Sequence, residues 1–237
     1  MSPTVRVGEI STLISNLVDQ LEERLAADDA PARLVVGLVG APGSGKSTIA
    51  AELENRLTEA GIFAGLVAMD GFHLSDTVLD ELGRHERKGA PDTFDVEGYL
   101  AILDRVRADG AKQVLVPVYR RNLHEPVAAG RIVAGPGVVL TEGNYLALET
   151  RGWGAARERI DLLIHIDVPE AVLVPRLINR HEAFGKNELD AGHWVRTVDL
   201  PNARLIATSV HRCDEVWREP DADDGADDAG DADDELE

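Results

Sequence analysis

The chain has 237 residues, 44% of them hydrophobic, which is enough for a single α/β domain with a sizeable core. Its net charge of −19 is unevenly spread, because ten of the acidic residues lie in 221–237 and leave −9 for the rest. A mildly acidic body with no basic face argues against nucleic acid as a partner.

Cysteine content and hydropathy indicate the compartment. Cys213 is the only cysteine, so no disulfide is expected within the chain, and no apolar run reaches the length of a membrane span. We therefore predict a soluble, cytoplasmic protein without a membrane partner. The acidic residues 219–237 predict a disordered tail, and the sequence leaves the oligomeric state open, a homodimer included.

The first predicted element is a helix that packs on the core ahead of the first strand. Its apolar residues recur at helical spacing on one face: Ile10, Leu13, Ile14, Leu17, Val18, Leu21 and Leu25. We assign residues 1–32 to this helix, 33–218 to the main domain and 219–237 to the tail.

A glycine loop follows the first predicted strand. Residues 34–39 form an apolar run typical of a strand buried on both faces, and residues 49–57 have a helix pattern. Between them, residues 40–48 read Gly-Ala-Pro-Gly-Ser-Gly-Lys-Ser-Thr, the order that a phosphate-binding P-loop requires. A glycine turn could match by chance, but the flanking elements favour a nucleotide site.

The chemistry of this loop explains its residue types. Glycines let backbone N–H groups approach an anion, and the start of the helix adds partial positive charge. Lys46 would reach the β- and γ-phosphates of ATP, and the Ser47 hydroxyl would ligate Mg²⁺. The predicted nucleotide-binding residues are Gly40, Gly43, Ser44, Gly45, Lys46, Ser47 and Thr48.

Strand and helix patterns alternate through the rest of the chain. The predicted strands are 62–69, 114–119, 130–134, 138–144 and 162–167, and the predicted helices are 75–82, 97–108, the segment after Pro169 and 188–212. Residues 215–217 close the fold. Residues 114–119 and 130–134 would pair with each other. This alternation predicts a three-layer α/β/α sandwich with a mostly parallel central sheet, and together with the glycine loop it predicts a P-loop NTPase fold.

Two carboxylates end predicted strands on the rim where ligands gather in open α/β sheets. Asp70 follows the 62–69 strand and could accept the proton of an acceptor hydroxyl, or it could cap the next turn. Glu142 lies near the end of the 138–144 strand and could hold Mg²⁺, directly or through water, or be a turn carboxylate.

Two arginines favour one class of P-loop protein. Arg176 and Arg180 lie one helical turn apart, so both could close over the phosphates, although a solvated helix face would also explain them. A GTPase would need an Asn/Thr-Lys-x-Asp motif, which the chain lacks, and a motor or transporter ATPase would need further signature segments. A small-molecule kinase needs an acceptor-side carboxylate and mobile arginines, which this chain has. Candidate acceptor contacts are Asp70, His73, Arg87, Lys88, Tyr119, Arg120, His124 and Asn144.

Several short motifs, in this order, resemble one family. They are residues 40–48, Met-Asp-Gly-Phe-His at 69–73, Lys-Gly-Ala-Pro-Asp-Thr-Phe-Asp at 88–95, Pro-Val-Tyr at 117–119, Glu-Gly-Asn at 142–144, and Arg176 with Arg180-His181. The chain thus resembles the P-loop kinases of the phosphoribulokinase, uridine kinase and bacterial pantothenate kinase group, and within it the nucleoside/nucleotide kinase-like branch. The likeness covers roughly residues 36–212.

The resemblance implies catalytic roles residue by residue. Lys46 matches the P-loop lysine, Asp70 the catalytic aspartate of the second strand, and Glu142 the acid of the third strand. Arg176 and Arg180 are similar to the lid arginines.

The acceptor is less well indicated. Residues 88–91 look like the acceptor-side loop of pantothenate kinase, whereas Arg120 departs from the acidic or small residue that relatives often carry there. We predict a kinase that uses ATP and Mg²⁺ to phosphorylate a hydroxyl of a nucleoside, sugar, sugar phosphate or pantothenate-like metabolite. The alternative is an ATP-binding regulatory protein without phosphotransferase activity.

Overall fold

A computed structural model describes residues 2–108 and 112–220 of the protein. Its strands are β1 (Thr4–Val7), β2 (Arg33–Gly40), β3 (Phe63–Ala68), β4 (Val114–Arg120), β5 (Glu125–Val133), β6 (Gly137–Gly143), β7 (Leu162–Asp167) and β8 (Glu215–Arg218). Its helices are α1 (Ile10–Leu25), α2 (Lys46–Glu59), α3 (Asp76–Glu81), α4 (Val96–Ala108), α5 (Glu170–Ala183), α6 (Glu188–Trp194) and α7 (Leu200–Ala207). Short 3₁₀ turns cover Met69–Phe72, His85–Arg87, Trp153–Arg159 and Val210–Arg212, and a π-helical turn covers Val195–Asp199.

Six of these strands form one parallel sheet in the order β1-β8-β7-β2-β6-β3. β2 pairs with β6 on one side and β7 on the other, and all eight of its residues are buried. A strand covered on both faces needs a nearly continuous apolar run, which is the pattern that its sequence shows. With helices on both faces, the sheet confirms the predicted three-layer α/β/α sandwich.

Each face of the sheet carries its own hydrophobic core. α1 and α2 cover one face, where Leu13, Leu17 and Leu53 belong to the same buried cluster as the side chains of β2 and β7. α4 and the turn at Trp153–Arg159 cover the other face, where Tyr99 is fully buried. The buried side chains of α1 thus belong to the core on the first of these faces.

The sheet contains an edge strand that the sequence did not predict. β1 has only four residues, most of them exposed, and it pairs in parallel with β8 from the other end of the chain. Because β1 has no buried face, hydrophobic periodicity could not reveal it. Arg6 Nη2 lies 2.7 Å from Glu215 Oε1 and links this edge strand to its neighbour.

Two other regions differ in detail from the prediction. The predicted strand pair is present as the antiparallel β4 and β5, but β5 begins at Glu125 rather than at residue 130. The predicted helical stretch over 188–212 is divided into α6, the π-helical turn, α7 and a 3₁₀ turn. Pro201 lies in the first turn of α7, and proline cannot donate the hydrogen bond that a continuous α-helix requires.

Within the two described ranges, no helix is long and apolar enough to cross a membrane. Of the predicted tail, the structure describes only Glu219 and Pro220. The predicted disorder of residues 221–237 therefore concerns a segment outside the described residues.

Candidate active site

The glycine loop between β2 and α2 has the features of an anion-binding site. Gly43 and Gly45 have φ angles of 79° and 89°, a region in which a side chain would strain the backbone. Gly45 is the N-cap of α2 and forms no side-chain cap, so the first N–H groups of the helix can reach a ligand. The buried Ser44 Oγ has no hydrogen-bond partner among the described residues. A phosphate group would satisfy these donors.

Lys46 adds a buried positive charge to the loop. Its Nζ donates to the backbone oxygen of Ala41, 2.9 Å away. Burial lowers the pKa of Lys46 to about 8, although the charges of Glu142 and Asp70 oppose this change. A phosphate would stabilise the protonated form, because an opposite charge nearby favours the charged state of a buried group.

Ser47 and Glu142 bring oxygen ligands to the same place. Ser47 Oγ donates to Glu142 Oε1 at 3.4 Å. Burial raises the pKa of Glu142, the charge of Asp70 raises it further, and the charge of Lys46 lowers it. A hydroxyl and carboxylates are ligands that Mg²⁺ binds together with phosphate oxygens. This donor set fits the predicted magnesium ion.

Asp70 lies in the 3₁₀ turn that follows β3. Its backbone carbonyl accepts hydrogen bonds from the backbone N–H of His73 at 3.2 Å and from His73 Nδ1 at 2.8 Å. Since a carbonyl oxygen can only accept, Nδ1 carries the proton and Nε2 is left as an acceptor. The Asp70 side chain is 45% exposed and lines a cavity of about 600 Å³.

This cavity brings together most of the predicted site residues. Those that line it are Gly43, Gly45, Lys46, Ser47, Thr48, Asp70, His73, Lys88, Tyr119, His124, Glu142, Asn144, Arg176 and Arg180. Gly40 and Ser44 lie in the glycine loop behind the lining. An added Cβ at Gly40 would meet the backbone oxygen of Ile166 at 2.8 Å, so β2 and β7 approach closely there.

Near Asp70, the cavity wall is formed by aromatic rings and by Lys88, whose ammonium group is hydrogen-bonded to the protein. The His73 ring packs between Phe94 and Tyr119, with ring centroids 4.1 Å and 4.8 Å away, and burial lowers the pKa of His73. Lys88 Nζ and Tyr119 Oη both donate to the backbone oxygen of His124, at 2.7 Å and 2.9 Å. These contacts fix the β4–β5 hairpin against the loop that carries Lys88.

Two predicted acceptor contacts lie outside the cavity lining. Arg87 Nη2 lies 2.7 Å from Asp92 Oδ2 in an ion pair. Arg120 is exposed at the end of β4, opposite Glu125. The neighbouring Arg121 lines the cavity instead. Side chains of a strand alternate between its faces, so Arg120 at the end of β4 lies on the opposite face from Tyr119. Arg121 belongs to the turn that follows the strand.

The lid side of the cavity contains residues that the sequence analysis did not single out. They are Leu177, Phe184, Lys186, Trp194, Asp199 and Asn202. His181 Nε2 lies 2.8 Å from Asp199 Oδ2, which joins α5 to the π-helical turn. For Trp194, Asp199 and Asn202, the only signal in the sequence was the helix pattern of residues 188–212, which does not indicate which side chains face a ligand.

The fold and the glycine loop define a P-loop kinase. The chain belongs to the Phosphoribulokinase / Uridine kinase family, whose sequence model matches residues 35–185. Like the other members of this family, it is a phosphotransferase with an alcohol group as acceptor.

Individual relatives support the same assignment. The chain is 32% identical over 176 residues to the uncharacterized protein YggC of Escherichia coli K12, with 73% of each chain covered. It is 30% identical over 181 residues to a pantothenate kinase of Serratia proteamaculans, which covers 72% of this chain and 57% of that enzyme. The crystal structure of a "putative fructose transport system kinase" from Silicibacter sp. TM1040 is 35% identical, with a TM-score of 0.78 over 86% of this chain and 98% of that one.

Proposed function

We propose that the protein transfers the γ-phosphoryl group of ATP to a hydroxyl of a small metabolite, with Asp70 as the general base. The observation that carries this proposal is a single cavity lined both by Lys46 of the glycine loop and by the half-exposed carboxylate of Asp70. Such a cavity can hold a triphosphate and an alcohol side by side.

Each charged group has a distinct role in this proposal. Lys46 and the N-terminus of α2 bind the phosphates, and Arg176 and Arg180 neutralise the charge that develops on the transferring group. Mg²⁺, held by Ser47 and Glu142, would shield the charge between the β- and γ-phosphates. Asp70 orients the acceptor hydroxyl and accepts its proton.

The acceptor remains within a limited set of alcohols. The names of the relatives point to a sugar, a nucleoside or a pantothenate-like alcohol. The ring of His73, packed between Phe94 and Tyr119, offers a partly apolar wall with one nitrogen acceptor, Nε2. A polyhydroxylated metabolite could donate to that nitrogen while another hydroxyl faces Asp70.

Replacement of the general base tests the proposal. Wild-type protein is incubated with ATP, Mg²⁺ and a metabolite library, and mass spectrometry detects the gain of one phosphate. Asp70→Asn should lower the transfer rate by roughly 10²- to 10⁴-fold and leave the Kd for ATP nearly unchanged. Asp104→Asn, an exposed aspartate of α4 outside the cavity lining, is the matched control.

The opposite result has a clear meaning. If Asp70→Asn transferred phosphate as fast as the wild-type protein, Asp70 would not be the base. If no alcohol gained phosphate although ATP bound, an ATP-binding regulatory protein would be the better interpretation.

A further inference from the structure

The walls of the cavity are basic, in contrast to the chain as a whole. Six lysine and arginine side chains line it against three carboxylates, in a protein with a net charge of −19. The cations are Lys46, Lys88, Arg121, Arg176, Arg180 and Lys186, and the carboxylates are Asp70, Glu142 and Asp199. A local surplus of positive charge attracts anionic ligands.

In the proposed function, three of these cations bind the phosphates of the nucleotide. Lys46 lies at the start of α2 beside the glycine loop, and Arg176 and Arg180 come from α5. A triphosphate with its transferring group accounts for all three.

Two further cations are held by groups of the protein itself. Lys88 Nζ donates to Asp76 Oδ1 at 2.5 Å and to the backbone oxygen of His124 at 2.7 Å. Lys186 Nζ lies over the ring of Trp194, 4.6 Å from its centroid. Their charges are therefore partly compensated before any ligand binds.

Arg121 is the cation that remains. Its guanidinium has no hydrogen bond or ion pair within residues 2–108 and 112–220, yet the residue lines the cavity.

The position of Arg121 in the fold assigns it to the acceptor. It begins the turn between β4 and β5, the hairpin that also contributes Tyr119 and His124 to the cavity. The nucleotide-binding elements, by contrast, are the β2–α2 loop and α5. We infer that the acceptor is an anionic alcohol whose phosphate or carboxylate group pairs with the Arg121 guanidinium while its hydroxyl faces Asp70; this inference rests on the proposed function.

The anionic group orients the acceptor and takes no part in bond changes. The hydroxyl oxygen forms a bond to the γ-phosphorus, its proton passes to Asp70, and the bond between the γ-phosphorus and the bridging oxygen breaks to release ADP. A guanidinium can bind either a phosphate or a carboxylate through two parallel hydrogen bonds.

Paired acceptors test the charge requirement and distinguish the two anionic groups. Hexose monophosphates are compared with the free hexoses, glycerate with glycerol, and pantothenate with panthenol, each with saturating ATP and Mg²⁺. For at least one pair, kcat/KM of the anionic member should exceed that of the neutral member by about 100-fold. The pair that shows the effect identifies the phosphate or the carboxylate as the recognised group.

Arg121→Gln then tests the residue. The KM for the anionic acceptor should rise by about 30- to 100-fold, while the KM for ATP stays within about twofold. Arg121→Lys should recover part of the loss, because it keeps the charge without the planar fork. The matched control is Arg120→Gln, because Arg120 is the adjacent arginine and does not line the cavity. It should leave the KM for the acceptor and the KM for ATP unchanged.

The outcomes separate this inference from the function on which it rests. If the wild-type protein phosphorylated neutral alcohols as well as their anionic partners, or if Arg121→Gln raised the KM for ATP instead, the inference would be wrong and the kinase function would stand. If the wild-type protein phosphorylated no alcohol at all, both would fail.

Discussion

Lys46 is a charged group that the fold buries before any substrate is present. In the unfolded chain its pKa is 10.5, and in the folded protein burial lowers it to about 8. Each pKa unit corresponds to 1.36 kcal/mol, so keeping this ammonium charged and buried costs roughly 3 kcal/mol. The free protein is thus destabilised at the position where the phosphates would bind.

Lys46→Met should therefore stabilise the free protein while it weakens ATP binding. At pH 7 lysine is protonated in both the folded and the unfolded state, and the variant should have a free energy of unfolding higher by about 2 kcal/mol. Urea denaturation followed by circular dichroism measures the difference between the two proteins.

The pH dependence of this difference has a defined sign. Above pH 8 the folded state loses the proton of Lys46 first, so the unfolded state binds more protons and the stability of the wild-type protein rises relative to the variant. The advantage of Lys46→Met should shrink between pH 8 and 10.5. A variant that is less stable than the wild-type protein at pH 7 would contradict this account.

At the scale of elements, the position of Asp70 depends on how the hairpin packs against its turn. Gly71 follows Asp70, and a Cβ added there would lie 2.4 Å from the backbone oxygen of Pro117 in β4. On the other side, a Cβ at Gly143 would lie 2.4 Å from the Cβ of Met69. The turn is therefore held between β4 and β6, and neither backbone leaves room for a methyl group.

Gly71→Ala should separate the hairpin from this turn. Overpacking of this kind typically costs about 1–3 kcal/mol of stability, and it should lower kcat/KM as well, because Asp70 and Tyr119 lie on opposite sides of the contact. Gly8→Ala is the control, since its added Cβ would meet only the side chain of Leu13, at an ordinary contact distance of 3.7 Å. Equal thermal stability and activity in the two variants would refute the proposed packing role.

The sequence predicted elements whose pattern is local. β2, the glycine loop and α2 follow one another without interruption, and each has its own signature in hydrophobic periodicity or residue type. β1 could not be predicted, because its four residues lack a buried face and therefore show no hydrophobic pattern. Its pairing partner is β8, at the other end of the described chain, so no local sequence signal indicates the pair.

The site residues likewise divide into those that a local sequence pattern indicates and those that it does not. Lys46 and Asp70 occupy positions fixed by their strands, and both line the cavity. Of the two adjacent arginines the sequence indicated Arg120, whereas Arg121 lines the cavity, because the end of the β4 strand decides which of the two side chains reaches it. Trp194 was not predicted because the helix pattern of residues 188–212 does not indicate which of its side chains line the cavity.

At the scale of the whole molecule, the charge is separated between a basic cavity and an acidic terminal segment. Residues 221–237, which lie outside the described ranges, carry ten of the acidic residues and no basic ones. A segment of like charges remains solvated, and at physiological ionic strength its field is screened within about 8 Å. We therefore expect it to contribute little to the chemistry in the cavity.

Deletion of residues 221–237 tests this expectation. The truncated protein, with a net charge of −9, should keep its thermal stability and a kcat within about twofold of the full-length value in physiological salt. In low salt, kcat/KM for the anionic substrates should increase modestly, because the truncation removes repulsion that slows their encounter. Steady-state kinetics at two salt concentrations measures both effects. A truncated protein that folds normally but transfers no phosphate would show that the acidic segment takes part in the active site.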